Sequence, residues 1–483
     1  MVFRLGAVLL GLTPLVLAEV SLRILDWGRP SYHGDPFAGF SAVYPLFVLD
    51  NAGERYEIPP SRQVFFRPDS FAAQKGANEF RVFCLGGSTV QGRPFAIESS
   101  FSSWLELSLE TAAPERHWDV LNCGGVSYAS YRLVPILKEV LQYGPDLIVL
   151  YTGHNEFLEE RTYHHIKYRP KPIARFLESA AQLRTVTLLR KAVHDWGEGS
   201  AAELPPARPI LQAEVEPLLD YRGGIEQFHR NEKWRLDVIE HYRYNLYRMV
   251  QLCRDAKVPL LLVNPVSNLR DCPPFKSLHR EDLTVEELEQ FELLWTTAKR
   301  YFKSNKFLAA EYLQQAIALD DQFAGIYYEL GTCYDNLGML SRGKEAFLQA
   351  KELDVCPLRI LEPMNEVVLE IARRTETPLV DVQRMFETLT DGGIPGDDWL
   401  LDHVHPSIFG HQQIAAALMK ELIRQGVVRP EPGWHQKRER KFREHLTSLG
   451  DIYFAQGMQR LDNLRTWTEG RGFKTRPDSD ETE

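Results

Sequence analysis

The sequence predicts a doubly wound α/β protein with a helical repeat inserted into it. Three observations lead there: five short runs of branched aliphatic residues that each stop at a turn signal, amphipathic helical stretches alternating with them, and a 34-residue internal periodicity beyond residue 300. Strands buried on both faces of a parallel sheet read as near-continuous apolar runs, so no polar alternation is expected of them. In such a sheet, function gathers at the carboxyl ends of the strands.

Bulk properties agree with a folded, multi-part chain. At 483 residues it is long for one core, and it is 44% hydrophobic, 11% aromatic and 25% charged. The formal net charge of -10 provides no basic field for sequence-independent nucleic-acid binding, so nucleic acid is excluded as a partner. The six cysteines (Cys84, Cys123, Cys253, Cys272, Cys333, Cys356) form no C-x-x-C pair. Neither a zinc ribbon nor a disulfide framework is indicated, and no motif calls for a cofactor.

The chain opens with "LGAVLLGLTPLVLA" after Arg4, 14 uncharged and mostly apolar residues. That is short for a spanning helix of about 20 residues and suits a signal-peptide core, with Val16-Leu17-Ala18 as the cleavage site. Reading on through "EVSLRIL" to Leu25 gives instead an uncleaved membrane anchor that tolerates Glu19 and Arg23 near its outer end. A buried helix is the third reading, but the starting position and the preceding Arg point to export. The remainder of the chain is then expected outside the cytoplasm, released or membrane-anchored.

The expected strands are "RVFCLGG" (81–87), "DVLNCGG" (119–125), "DLIVLYTG" (146–153), "PLLLVNPV" (259–266) and "PLVDV" (378–382). In "SFSSWLELSLETA", Phe101, Trp104, Leu105, Leu109 and Ala112 recur at helical spacing, and "SYRLVPILKEVLQYG" repeats the pattern until Gly144-Pro145 stops it. Two interruptions follow. The first, about 160–235, contains "ELPPARP" and reads as a loop-rich insertion. The second is the repeat: Leu313 and Phe347, Ala316 and Ala350, Leu319 and Leu353, Asp320 and Asp354, and Ala309 and Gly343 are each 34 residues apart, the tetratricopeptide period. Tyr327, Leu330, Gly331 and Tyr334 occupy signature places of a second, better copy, and two copies are expected to lean on the α/β domain or on another chain. A helical, charged extension runs from about 429 to the polar "TRPDSDETE".

Chemistry concentrates at three strand ends and in one cluster. The first strand runs into Gly86-Gly87-Ser88, where glycines allow a sharp turn and present a Ser above the sheet with its own N–H free; the plain alternative is Ser88 as a helix N-cap. The second ends in "LNCGGVSYASYR", whose small residues bring N–H groups to the same crevice. The third ends in "YTGHNEF", where Asn155 offers an amide to developing negative charge or simply forms a turn. Near the C-terminal end, "LLDHVHPSIFGH" holds Asp402, His403, His405 and His411. The H-x-H pair suggests a zinc site, but no H-E-x-x-H or C-x-x-C partner accompanies it. Asp402 and His405, three apart, suit a carboxylate fixing one ring nitrogen so that the other can deprotonate a hydroxyl; Ser88 is the hydroxyl without such a base. His403 is then expected to face elsewhere, and Pro406 to stiffen the first turn of the helix carrying His411.

Taken in order, "GGST", the second-strand turn, "GHNE" and "DHVH" resemble the four blocks of the SGNH hydrolases, also called GDSL esterases. The resemblance covers roughly 75–160, 237–275 and 358–425. It implies a three-layer, flavodoxin-like, five-stranded parallel sheet, with Ser88 as nucleophile, His405 as base, Asp402 as its orienting acid, and Ser88 N–H and the Asn155 amide in the oxyanion hole. The third donor falls at Ser127 when counted from Asn122, with Gly124 and Gly125 as alternatives. Gly-Gly-Ser and Asn-Glu stand where the family has Gly-Asp-Ser and Asn-Asp.

The resulting organisation is an anchor or signal at 1–25, a hydrolase domain at 26–276, a tetratricopeptide-like insertion at 277–356, the second hydrolase part at 357–428 and the extension at 429–483. The expected activity is hydrolysis or transfer of an O-acyl group on a small-molecule or glycan ester, with "ERTYHHIKYRPKP" as a glycan contact or a solvated loop. A protein partner is expected at the repeats and a membrane at the N-terminal segment. The rival reading makes the repeats the working part, an interaction scaffold around a relic site.

Overall fold

The structure, a computed structural model, describes residues 13–14, 17–23, 25, 27, 45–159, 184–185, 219 and 224–468. The apolar run after Arg4, "TYHHIKYRP", "ELPPARP" and the polar C-terminal tail lie wholly or mostly outside the described residues. By internal contacts the chain forms two compact units, Met1–Tyr44 with Arg161–Leu211, and Pro45–Glu160 with Gln212–Glu483. In the first unit residues 17–23 are helical, and Glu19 accepts hydrogen bonds from the backbone of Arg184 and Thr185 at 3.1 and 3.0 Å. Among the described residues no helix is long and apolar enough to cross a membrane.

The second unit contains all five expected strands: β4 (Glu79–Gly86), β5 (His117–Gly124), β6 (Leu147–Tyr151), β7 (Leu260–Asn264) and β8 (Leu379–Asp381). They pair in parallel in the order β5-β4-β6-β7-β8. The first and third strands of the sheet are therefore neighbours, and their connections leave in opposite directions, which opens a crevice between the ends of β4 and β6. Gly86 is in register with both Gly124 and Tyr151, so three strand ends finish level with one another. A small antiparallel sheet of β1 (Val48–Leu49), β2 (Arg55–Glu57) and β3 (Ser70–Ala72) precedes them.

Residues two apart face the same side of a strand. Val82, Cys84, Val149, Tyr151, Leu261 and Val263 pack on one side against α2 (Phe101–Ala112) and α11 (Ile408–Arg424) through Trp104, Leu105, Leu109, Ile414 and Leu418. Phe83, Leu85, Ile148 and Leu150 on the other side are equally buried. That side is covered by α3 (Ser130–Val140), α4 (Glu232–Asp255) and α9 (Glu362–Arg374). A short helix, α10 (Val382–Leu389), follows β8.

Between β7 and α9 come four helices: α5 (Val285–Tyr301), α6 (Lys306–Leu319), α7 (Ala324–Asn336) and α8 (Leu340–Glu352). Thr284 and Glu287 close a capping box at α5, and the Asn305 side chain caps α6. Leu313, Ala316, Asp320, Phe347, Ala350 and Asp354 are all buried. A Cβ on Gly331 would lie 2.8 Å from the Phe347 ring, which explains the small residue where the helices cross.

Asp320 and Asp354 join this segment to the connection that follows β7. Asp354 accepts from the N–H groups of Phe275 and Lys276, and Asp320 holds His279 at 2.7 Å, so one strand-to-helix connection is gripped twice. The C-terminal extension also belongs to this unit. Its helix α12 (Trp434–Thr468), kinked at Gly450, lays Phe442 against Trp104 of α2 at 4.6 Å between ring centres.

Candidate active site

β4 ends where glycine is sterically required. A Cβ on Gly86 would lie 2.1 Å from the Tyr151 carbonyl oxygen, and one on Gly87 would lie 2.5 Å from Asn155 Nδ2. The chain then turns directly into the one-turn helix α1 (Ser88–Gln91), which stops at Gly92 in the left-handed region, φ 91°. Ser88 is the first helical residue, not the N-cap, and its N–H has no intrahelical acceptor. Asn122 fastens the other end of α1 by donating to Val90 O at 2.7 Å.

The Asp402–His405 turn approaches from the loop before α11. Asp402 Oδ1 accepts from the N–H groups of Val404 and His405, both at 2.9 Å, which folds the three-residue spacing into a tight turn. Leu401 N–H donates to His405 O, and Leu400 and Pro406 form an isolated antiparallel bridge that closes the loop. His405 Nδ1 lies 2.7 Å from Asp402 Oδ2, and Nε2 lies 2.7 Å from Ser88 Oγ. An ionised carboxylate only accepts, so Nδ1 carries the proton and Nε2 accepts from the Ser88 hydroxyl. Burial pushes the Asp402 carboxyl up, but His405, His403 and the donated N–H groups outweigh it and hold it well below the usual carboxylate range.

The other two histidines differ from this one and in part from expectation. His403 does not face wholly elsewhere. It packs edge-on to Phe275 at 5.3 Å, while its Nδ1 remains 3.5 Å from Asp402 Oδ1. Burial pushes it down to about 4 against the opposing pull of Asp402, so it is neutral at neutral pH. His411 is on α11 and stacks on Phe101, with both ring nitrogens buried and unpartnered. Pro406 stands outside the first turn, because Ser407 is the N-cap and α11 begins at Ile408; its place is the bridge to Leu400. Among the described residues no group of three His, Cys, Asp or Glu side chains is arranged to hold a metal.

Asn155 is half-buried at the end of β6, and its Nδ2 donates to Tyr128 O at 3.1 Å, leaving the second amide hydrogen for the crevice. The residue after it has a structural role of its own. Glu156 is fully buried and accepts from both the N–H and the hydroxyl of Ser130, at 2.6 and 2.9 Å, at the start of α3. Of the backbone groups in the second-strand turn, Gly124 N–H donates to Asn122 Oδ1, Gly125 N–H to Gly86 O and Val126 N–H to Phe65 O. Ser127 sits in the left-handed region, φ 62°, and its N–H has no acceptor among the described residues. The roles of Glu156 and of the Tyr128 carbonyl carried no sequence signal beyond their closeness to Asn155.

The fold and this geometry define a class: a doubly wound α/β protein with a Ser–His–Asp hydrogen-bonded chain at its switch point. No family model and no curated protein matches the chain. Solved structures with which it aligns include a putative lipolytic protein of the G-D-S-L family from Desulfitobacterium hafniense (10% identity, 71% of this chain and 99% of that one, TM-score 0.31). Two others are a lipase/acylhydrolase from Enterococcus faecalis (13%, 73% and 100%, TM-score 0.32) and the acetylxylan esterase Axe2 from Geobacillus stearothermophilus (13%, 72% and 95%, TM-score 0.31).

Proposed function

We propose that the chain is a serine-dependent ester hydrolase or acyl transferase of the SGNH type, acting on an O-acyl substrate such as an O-acetylated carbohydrate. The observation that carries this reading is the hydrogen-bonded chain Ser88 Oγ, His405, Asp402, with 2.7 Å at each link. Ser88 Oγ attacks the ester carbonyl as its proton passes to His405 Nε2, and Asp402 stabilises the imidazolium that results. The tetrahedral oxyanion is met by the N–H of Ser88, the free Asn155 amide hydrogen and the N–H of Ser127, chosen over Gly124 and Gly125 because their N–H groups are already engaged. His405 returns the proton to the leaving alcohol. Water or a sugar hydroxyl, activated by the same nitrogen, then releases the acyl group from Ser88.

The scaffold reading has no comparable support, since the nucleophile, base, acid and amide stand together. The helical segment is assigned as a tetratricopeptide-like pair on its 34-residue correspondence and its four successive helices of 13 to 17 residues. The N-terminal segment is assigned as an export signal or anchor on its apolar run after Arg4, and cell fractionation with and without residues 1–25 tests it. The enzymatic assignment is tested with a simple aryl acetate. Cleavage is expected from the wild type and not from Ser88→Ala, and full activity in Ser88→Ala would overturn it.

A further inference from the structure

Four arginines gather on the segments that flank Ser88. Arg62 and Arg67 belong to the turn after Pro60, which is fixed to the nucleophile's helix because Phe65 O accepts from Gln91 Nε2 at 2.7 Å and from Val126 N–H at 2.9 Å. Arg93 leaves the end of α1, its N–H donating to Ser88 O at 3.1 Å. Arg460 stands on α12, its Nε donating to Pro94 O at 2.7 Å.

None of the four forms an ion pair among the described residues. Arg62 is 2% exposed, its guanidinium lies beside the Tyr128 hydroxyl, and no carboxylate pairs with its buried nitrogens among the described residues. Its Cζ lies 5.1 Å from the centre of the Phe66 ring, which packs in turn on Tyr128, the residue whose carbonyl holds Asn155. Arg93 Nε is buried and unpartnered. Burial, then Arg67 and Arg460, push Arg93 down to about 10, and Arg67 lowers Arg460 as well, so these three cations feel one another. The carboxylate acting on Arg460 is Glu98, which is exposed.

Uncompensated guanidinium groups are costly in a protein interior, and a chain of net charge -10 does not lack carboxylates to pair with them. Their planar forks match the oxygens of carboxylate, phosphate and sulfate groups. We infer that Arg62, Arg67, Arg93 and Arg460 form an anion subsite beside Ser88, and that the ester this chain acts on carries such an oxyanion near its scissile bond. The inference rests on the hydrolase reading and names its substrate class.

The test compares phenyl acetate with two anionic acetates, 4-acetoxybenzoate and 4-acetoxyphenyl phosphate, in the full chain. The ratio of kcat/KM for anionic over neutral ester is expected to fall about tenfold in each of Arg67→Gln, Arg93→Gln and Arg460→Gln, to recover partly in the lysine variants, and to shrink with rising ionic strength. Which anionic ester is more affected tells a carboxylate subsite from a phosphate subsite. A ratio indifferent to every arginine and to salt overturns the inference. Binding of inorganic phosphate to Ser88→Ala, and to the same protein carrying Arg67→Gln or Arg460→Gln, keeps the two readings apart. Arginine-dependent binding with no ester cleavage supports the subsite and overturns the hydrolase, while cleavage with no arginine-dependent preference or binding does the reverse.

Discussion

Ser88 depends on its neighbours for both position and reactivity, and the most informative of them is Gly87. The amide of Asn155 occupies the space a Cβ on Gly87 would need, 2.5 Å away, so the glycine before Ser88 is tied to where that amide sits. Gly87→Ala is therefore expected to lower kcat toward the level of Asn155→Ala, with aryl acetate kinetics as the measurement. Asn155→Ala is expected to cost about 100-fold to 1000-fold in turnover, the usual effect of losing one oxyanion donor, while Ser88→Ala and His405→Ala leave no measurable cleavage. The Ser88 turn and the Asp402–His405 pairing were legible in the sequence because both obey short-range rules, a glycine turn and a three-residue spacing. Which N–H of the second-strand turn is free was not legible, because telling Gly124, Gly125 and Ser127 apart requires knowing which N–H groups other carbonyls and side chains have already claimed. Glu156 was missed for a similar reason. Its partner Ser130 is 26 residues away in sequence, and nothing local marks the pair.

At the scale of elements, all five strands of the main sheet were readable, since each is a buried aliphatic run closed by a turn. The small antiparallel sheet was not, because strands of two or three residues have no period to detect. The second part of the site depends on α11, which carries His411 against Phe101. Burial pushes His411 down to about 3, so it stays neutral in the folded state while the unfolded chain takes up a proton below the ordinary histidine value of 6.5. Its contribution is thus complete above that value and drains away as pH falls below it, by about 1.4 kcal/mol per pH unit. His411→Phe keeps the ring and removes the proton site. It is expected to raise stability at pH 5 by about 2 kcal/mol more than at pH 8, measured by urea unfolding at both values. Equal effects at the two pH values would mean that His411 is not neutral in the folded protein.

At the scale of the whole molecule, the helical segment that lies between Ser88 and His405 in sequence is tied to the sheet and its connections. The helices from Val285 to Glu352 are clamped to the sheet by Asp320 and Asp354, by Tyr328 donating to Arg270 O, and by the Lys344–Glu387 ion pair. A chain with 277–356 replaced by a short linker is accordingly expected to lose stability as well as any partner bound by the repeats, read as a lowered Tm. The 34-residue period was legible in sequence, but its attachment was not, because the clamp runs between aspartates at helix ends and a connection with no pattern of its own. The central claim is that the fold brings together a serine and a histidine 317 residues apart as one nucleophile. Labelling the intact chain with a fluorophosphonate and mapping the modified peptide tests this most directly. Label on Ser88, and none in His405→Ala, is the expected result; label on another residue, or undiminished labelling without His405, contradicts the account.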